Sequence, residues 1–145
     1  MAINQGDIYW VELEEPRGSE PAYKHPHVVI QSNPFNFSNI NTVVLCALTT
    51  NLKRGSSPGN VMLKKNEAGL PKKSVVNITQ IITVNKSDLK EKIGQLSRSR
   101  VEEILEGLDI LFKPKEAFRD RQNFLRVDQY KKRHKTRLDP VRGSL

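Results

Sequence analysis

Two imidazoles and an ammonium, His25, His27 and Lys24, surround a proline at the mouth of an apolar run, KHPHVVIQSN (residues 24–33). A strand that only needs burial has no use for such an entrance. An imidazole titrates near neutral pH and can act as general base or general acid. A lysine ammonium can hold a phosphate as a point charge. Other polar residues also stand where strand patterns meet loops: Glu20 ahead of the second strand, and Thr49 and Thr50 at the end of the third. Lys53 and Arg54 open one basic turn, Lys64, Lys65, Lys72 and Lys73 bracket another, and Ser74 and Gln80 lie on a long β segment. In a small barrel the loops converge at two ends, so some of these residues share a surface. Cations, hydroxyls and an imidazole together suit phosphate positioning with proton transfer.

Each residue also has a plainer reading. Paired lysines in turns are commonly just solvated. Thr49 and Thr50 could simply continue a β-branched strand, and Gln80 could be ordinary polar-out alternation. His25 precedes a proline, which restricts it to extended backbone, and it could be a surface residue with no task. Other chemistries are excluded more firmly. There is no P-loop, GxGxxG, GxSxG or HExxH motif. The single cysteine, Cys46, rules out a zinc cluster built on thiolates. His25 and His27 share one face of an extended segment, but three histidines in the whole chain make a thin basis for a metal site. No metal or cofactor is expected.

The elements that must position these residues read mostly as strands. DIYWVELE alternates and gives a first strand over about 6–14, with Tyr9, Val11 and Leu13 on one side and Ile8, Trp10 and Glu12 on the other. EEPRGSEPAYKHP is a long exposed loop, HVVIQS a second strand and NPFNFSNIN a loop. TVVLCALTT reads as a central strand buried on both faces. NLKRGSSPGN is a basic turn, VML a short strand, KKNEAGLPKK a second basic turn, and SVVNITQIITV a long β segment bent near Asn77. The period then changes: Val101, Ile104, Leu105, Leu108 and Phe112 follow helical spacing. Ser99 with Glu102 is a capping-box pair, with Ser97 the alternative cap, and Pro114 stops the helix. Strands first and one helix last argue for a small antiparallel barrel or curled sheet, mainly β, with a C-terminal helix packed on it.

The length of 145 residues fits one domain with one core. No run of eighteen apolar residues is present, and MAINQGDIYW lacks the order of a secretory signal, so a cytoplasmic protein is expected. The formal net charge is +8, but residues 119–145 hold nine Lys/Arg against three Asp/Glu, which leaves only +2 for the rest. The high pI is thus mainly a property of the C-terminal end. Residues 1–117 are expected to form the folded domain and 118–145 a basic tail, either disordered or a weak helix on a partner. The closing RGSL reads equally as native or appended sequence.

Four segments in order resemble the MazF/PemK toxin family of bacterial toxin–antitoxin pairs. They are GDIYWVELEEPRGSEPAYKHPHVVIQSN, CALTTN, GLPKKSVVNITQIITVNKSDL and IGQLSRSRVEEILEGLDILF. The resemblance runs over about residues 4–113. It implies a compact SH3-like, CcdB/PemK-type barrel forming a homodimer, and a metal-independent endoribonuclease that cuts single-stranded RNA at short motifs. It also implies a cognate antitoxin whose extended segment blocks the RNA groove. The family's active-site arginine, in R-P-V-V, corresponds to His25, and its catalytic threonine to Thr49. Glu20 and Ser19 match the family's G-S-E, and Gln80 the later glutamine. The departure is at the arginine, where Lys24 and His25 stand, and at His27, which replaces a valine.

RNA cleavage of this kind uses the 2′-OH as nucleophile on the adjacent phosphate. It needs a base, an acid for the leaving 5′-oxygen and positive charge. The expected catalytic set is His25 in proton transfer, Lys24 or a basic-turn residue on the phosphate, Thr49 on a phosphoryl oxygen, and Glu20. The expected RNA-binding set is Ser19, His27, Lys53, Arg54, Lys72, Lys73, Ser74 and Gln80. Phe35 and Phe37 read either as stacking groups or as apolar pegs that fold their loop back on the body. Two other functions stay open: a toxin of CcdB type that binds gyrase, and a non-catalytic nucleic-acid-binding module.

Overall fold

The computed structural model describes residues 2–12 and 24–113. Its strands are β1 (Asp7–Glu12), β2 (Lys24–Val29), β3 (Thr42–Thr49), β4 (Val61–Leu63), β5 (Ser74–Asn85) and β6 (Glu91–Gln95); its helices are the one-turn α1 (Asn33–Asn36) and α2 (Arg98–Phe112). The strands form one six-stranded sheet in the order β4-β5-β3-β2-β1-β6, with every pairing antiparallel. This is the expected mainly β fold with a C-terminal helix.

The apolar, β-branched run TVVLCALT becomes β3 because it is a central strand with a core on each side. On one side Cys46 and Leu48 join Ile8, Val28, Val76, Ile78 and Ile104 of α2. On the other, Val43 and Leu45 join Tyr9, Val11, Val29 and Leu89. The edge strands β4 and β6 do not pair, yet the sheet curls until their surroundings meet. A Cβ on Gly94 of β6 would lie 2.1 Å from the Ala68 carbonyl oxygen, and one on Gly69 2.6 Å from that of Ile93. The turn after β4 therefore presses on β6 and closes the curl backbone to backbone, at positions where only glycine fits. Gly69, at φ +79°, also needs the left-handed region.

Several expectations are corrected. β2 begins at Lys24, so the KHP entrance is itself strand, ending at Val29 rather than Ser32. The NPFN segment is a helical turn rather than a loop. β6 was not foreseen, because EKIGQ offers two charges, a glycine and one isoleucine where a pattern should be. The α2 cap is Ser97, whose Oγ accepts from the Arg100 N–H at 3.2 Å, with Ser99 Oγ beside it. Of the helical stripe, Ile104 is buried, whereas Leu105 and Phe112 are exposed. Leu13, Ser19, Glu20, Pro114 and the tail expected at 118–145 lie outside the described residues.

Candidate active site

One face and one end of the sheet gather most of the residues singled out by type. His27 pairs with Ala47 across β2 and β3, and His25 pairs with Val11 across β1 and β2. The β2–β3 ladder ends at that His27–Ala47 pair, and alternation two residues further along each strand puts His25 and Thr49 on the same side of the sheet. Directly opposed residues of an antiparallel ladder have Cα atoms about 4.5–5.5 Å apart and side chains on the same side. Thr49 in turn pairs with Val75 of β5, and Val75 with Met62 of β4. The side chains of His25, Thr49, Val75 and Met62 therefore share one face.

The basic turn Leu52–Ser56 is folded onto that face. A Cβ on Gly55 would meet Met62 Sδ at 2.5 Å, so the turn lies over Met62 with no room to spare. Asn51 starts it: its side chain accepts from Lys53 N, while its own N–H donates to Thr49 Oγ1 at 3.1 Å. The hydroxyl at the end of β3 is thus held by the first residue of the turn that carries Lys53 and Arg54, both exposed. Lys72 and Lys73 are exposed just ahead of β5, and Lys64 and Lys65 just behind β4. Because Leu63 pairs with Ser74, all four stand at the Thr49 end of the sheet. A count of net charge missed this concentration. Glu102, Glu103, Glu106 and Asp109, spread along α2, offset the lysines in the total.

The other expected site residues are not brought together in this way. Alternation puts Lys24 on the opposite face of β2 from His25, beside Trp10 and Pro26, and its Nζ lies 3.7 Å from Glu91 Oε1. His27 shares the face of His25 but is 2% exposed, wedged between Tyr9 and Ala47, its cross-strand neighbours. Its Nδ1–H donates to the His25 carbonyl at 3.0 Å, so it fixes the backbone of the site rather than meeting a ligand. Ser74 is also buried, and its Oγ donates to the Lys72 carbonyl at 2.9 Å. Gln80 is exposed on a bulge of β5.

Phe35 and Phe37 are exposed, so they are not pegs. Their loop leaves β2 at its far end, and the eight residues of β3 separate it from Thr49, a distance of roughly 23 Å at about 3.3 Å per residue. Lys86 Nζ holds this loop by donating to the carbonyls of Asn36 at 2.9 Å and Ser38 at 3.1 Å.

Three groups escaped sequence reasoning. Asp7 is fully buried beside Tyr9, with Lys92 Nζ 3.2 Å from its Oδ1 and the Asn4 N–H donating to its Oδ2 at 2.9 Å. Burial, then the Asp7 charge and its hydrogen bond, push the Tyr9 phenol up. The second group is Asn60 with Asn77, buried amides whose only signal is a polar residue in or beside an apolar run. Cys46 is the third: burial raises its thiol to about 12, which removes it as a nucleophile. Among the described residues no three His, Cys, Asp or Glu side chains cluster as metal ligands do.

Residues 4–112 match the family described as PemK-like, MazF-like toxin of type II toxin-antitoxin system. The chain is 43% identical over 108 residues to Endoribonuclease MazF6 of Mycobacterium tuberculosis, covering 74% of this chain and 95% of that one. It is 36% identical to Endoribonuclease MazF of Staphylococcus epidermidis, covering 74% and 89%. Among solved structures, an endoribonuclease in complex with its cognate antitoxin from a mycobacterial species superposes with a TM-score of 0.59 at 22% identity, covering 79% and 98%. A MazE-MazF structure from Deinococcus radiodurans gives 0.63 at 17% identity, covering 79% and 99%. At these identities the two structures speak to the fold.

Proposed function

Since the chain belongs to the PemK-like, MazF-like toxin family, we propose that it is the toxin of a type II toxin–antitoxin pair and an endoribonuclease. The reading is supported above all by one convergence: His25, Thr49 and the basic turn of Lys53 and Arg54 share one face at the lysine-rich end of the sheet. Its substrate is single-stranded RNA and its action needs no metal. The 2′-oxygen attacks the adjacent phosphorus and loses its proton to a base. The bond from phosphorus to the 5′-oxygen breaks, and that oxygen takes a proton from an acid. The products are a 2′,3′-cyclic phosphate and a 5′-hydroxyl.

In this scheme His25 moves a proton, as a histidine can and an arginine cannot at neutral pH. Thr49 Oγ1 accepts from Asn51 N–H and still has its own proton to donate to a phosphoryl oxygen. Lys53 and Arg54 supply the positive charge, a task better suited to them than to Lys24, which faces Glu91 on the other side of β2. Glu20 and Ser19 belong to the sequence between Glu12 and Lys24. Those two flanking residues are cross-strand partners, and both stand at this same end of the sheet. The protein acts in the cytoplasm as a homodimer, and a cognate antitoxin covers the RNA face.

The test is incubation of the purified protein with a long single-stranded RNA, with and without EDTA, followed by analysis of the new ends. Cleavage in EDTA that leaves cyclic phosphate and 5′-hydroxyl ends is the expected result. RNA that is bound but left intact would instead indicate a non-catalytic binding module. Intact RNA together with inhibited gyrase would indicate a toxin of CcdB type.

A further inference from the structure

A buried chain of carboxamides runs from the basic turn to the exposed Gln80, and its polarity is fixed by backbone groups with only one possible role. The Ile78 N–H can only donate, and it donates to Asn60 Oδ1 at 2.9 Å. The Arg54 carbonyl can only accept, and it accepts from Asn60 Nδ2 at 3.0 Å. The Asn60 amide is therefore not free to flip. Its Nδ2 also donates to Asn77 Oδ1 at 3.2 Å, which orients Asn77, and Asn77 Nδ2 then donates to Gln80 Oε1 at 2.8 Å. The Gln80 carbonyl oxygen is thus turned inward, and its outward end is the Nε2 amide, a donor only.

The position of this chain ties it to the site. β5 pairs with β3 at Val75–Thr49 and Val76–Leu48, then loses register until Ile81 meets Cys46. Residues 77–80 form the resulting bulge, which starts two residues after the partner of Thr49. Bulges of this kind re-aim side chains next to functional sites. The Asn60 amide that sets the orientation of Gln80 also anchors the turn carrying Lys53 and Arg54 through the Arg54 carbonyl.

We propose that Asn60 and Asn77 are positioning residues that make Gln80 a one-way reader of an RNA base. It offers a donor, so at the exocyclic 4- or 6-position of the base it selects the carbonyl oxygen of uracil (O4) or guanine (O6) over the amine of cytosine (N4) or adenine (N6). An amine set against Nε2 leaves two donors facing each other with no acceptor, and once the bound base covers Nε2 a donor left unpaired costs more than one hydrogen bond contributes. The inference rests on the RNA-cleaving reading and adds to it the chemical class of one recognised nucleotide. A chain that served only to satisfy the backbone of the bulge would have no bearing on base choice.

The experiment compares the cut sites of the wild-type protein, Gln80→Glu and Asn77→Leu in a randomised single-stranded RNA pool. The ratio of keto to amino bases is read at each position around the cut. That ratio is internal to each variant, so a fall in overall rate does not affect it. One position in the wild type is expected to favour keto bases. In Gln80→Glu one carboxylate oxygen still accepts from Asn77 while the other faces outward as an acceptor, and the ratio at that position should fall by about tenfold or more. In Asn77→Leu the Gln80 amide is free to turn, and the same ratio should approach one. Cleavage by Gln80→Glu with every ratio within about twofold of wild type would overturn the inference and leave the ribonuclease reading standing. Absence of cleavage by the wild type would remove both. Gln80 is exposed, so this decision does not depend on whether Asn77→Leu folds.

Discussion

The guanidinium of Arg100 grips the carboxylate of Glu67 in a fork, Nε donating to Oε2 at 2.8 Å and Nη2 to Oε1 at 3.1 Å. Arg100 lies in the first turn of α2, and Glu67 in the turn that presses on β6, so this pair ties the helix to the point where the sheet closes. Arg100 Nη1 also donates to Glu103 Oε2 at 3.0 Å. Burial works to raise the Glu67 pKa, but the Arg100 hydrogen bonds, the Lys64 N–H and both cations outweigh it and hold the carboxyl below its ordinary 4.5. A carboxylate lowered in the folded state stabilises fully above its unfolded value and ceases to do so as the pH falls through its folded value. Glu67→Gln should therefore lose about 1–3 kcal/mol at pH 7, and the gap from wild type should narrow below pH 4.5. Urea unfolding of both proteins at pH 7 and pH 3 would show it, and an equal gap at the two pH values would refute it.

Gly107 marks a second closure, where α2 meets the loop before β4. A Cβ there would lie 2.2 Å from the Gly59 carbonyl oxygen and 3.0 Å from Ile78 Cγ1. In an open helix, glycine to alanine gains about 1 kcal/mol. Here the helix must move away from a backbone oxygen that has no side chain to yield. Gly107→Ala should destabilise by about 1–3 kcal/mol, seen as a melting point lower by several degrees. A higher melting point would show that the contact is slack.

How far the sequence could be read follows from what each element depends on. β3 was legible because a strand buried on both faces must be apolar at nearly every position, and TVVLCALT is. α2 was legible from its period, but its cap was misassigned because two serines two residues apart satisfy the same rule and only geometry selects Ser97. β6 was not legible: it forms because Gly94 admits the Ala68 carbonyl, a long-range fact. In the site, His25 and Thr49 were legible as types, and the resemblance implied that they act together, whereas the shared face depends on how β2 and β3 pair. The opposite orientation of Lys24 became visible only once β2 was known to begin at Lys24, which makes consecutive residues alternate. The Asn60–Asn77 pair was hidden because buried amides at separate places in the chain carry no common pattern.

The turn that carries Lys53 and Arg54 lies over Met62, on the face of Thr49, whereas Lys24 lies on the other side of β2 against Glu91. Each contact between a cation and a single-stranded backbone adds about 0.7 to the slope of log affinity against log salt. Replacing both Lys53 and Arg54 with alanine should lower that slope by up to about 1.4 for RNA binding. Lys24→Ala should leave it nearly unchanged and, because exposed ion pairs contribute about 0–1 kcal/mol, should barely alter stability. Equal loss of slope in the two variants would place the phosphate track elsewhere.

His25→Gln gives the most direct test of the proton-transfer role. Glutamine keeps a polar group of similar reach and the extended backbone that the following proline requires, but it cannot take or give a proton at neutral pH. The His25 backbone is held independently, its carbonyl accepting from the buried His27 ring at 3.0 Å and its position paired with Val11, so the substitution should not unravel β2. General acid–base help accounts for roughly 10²–10⁴ in rate. Single-turnover cleavage should fall by that range while RNA affinity and the melting point stay close to wild type. Unchanged turnover would assign the proton to another group. A parallel loss of affinity would instead mean that the imidazole binds the phosphate, and in that case Lys or Arg at position 25 should restore much of the activity where Gln does not.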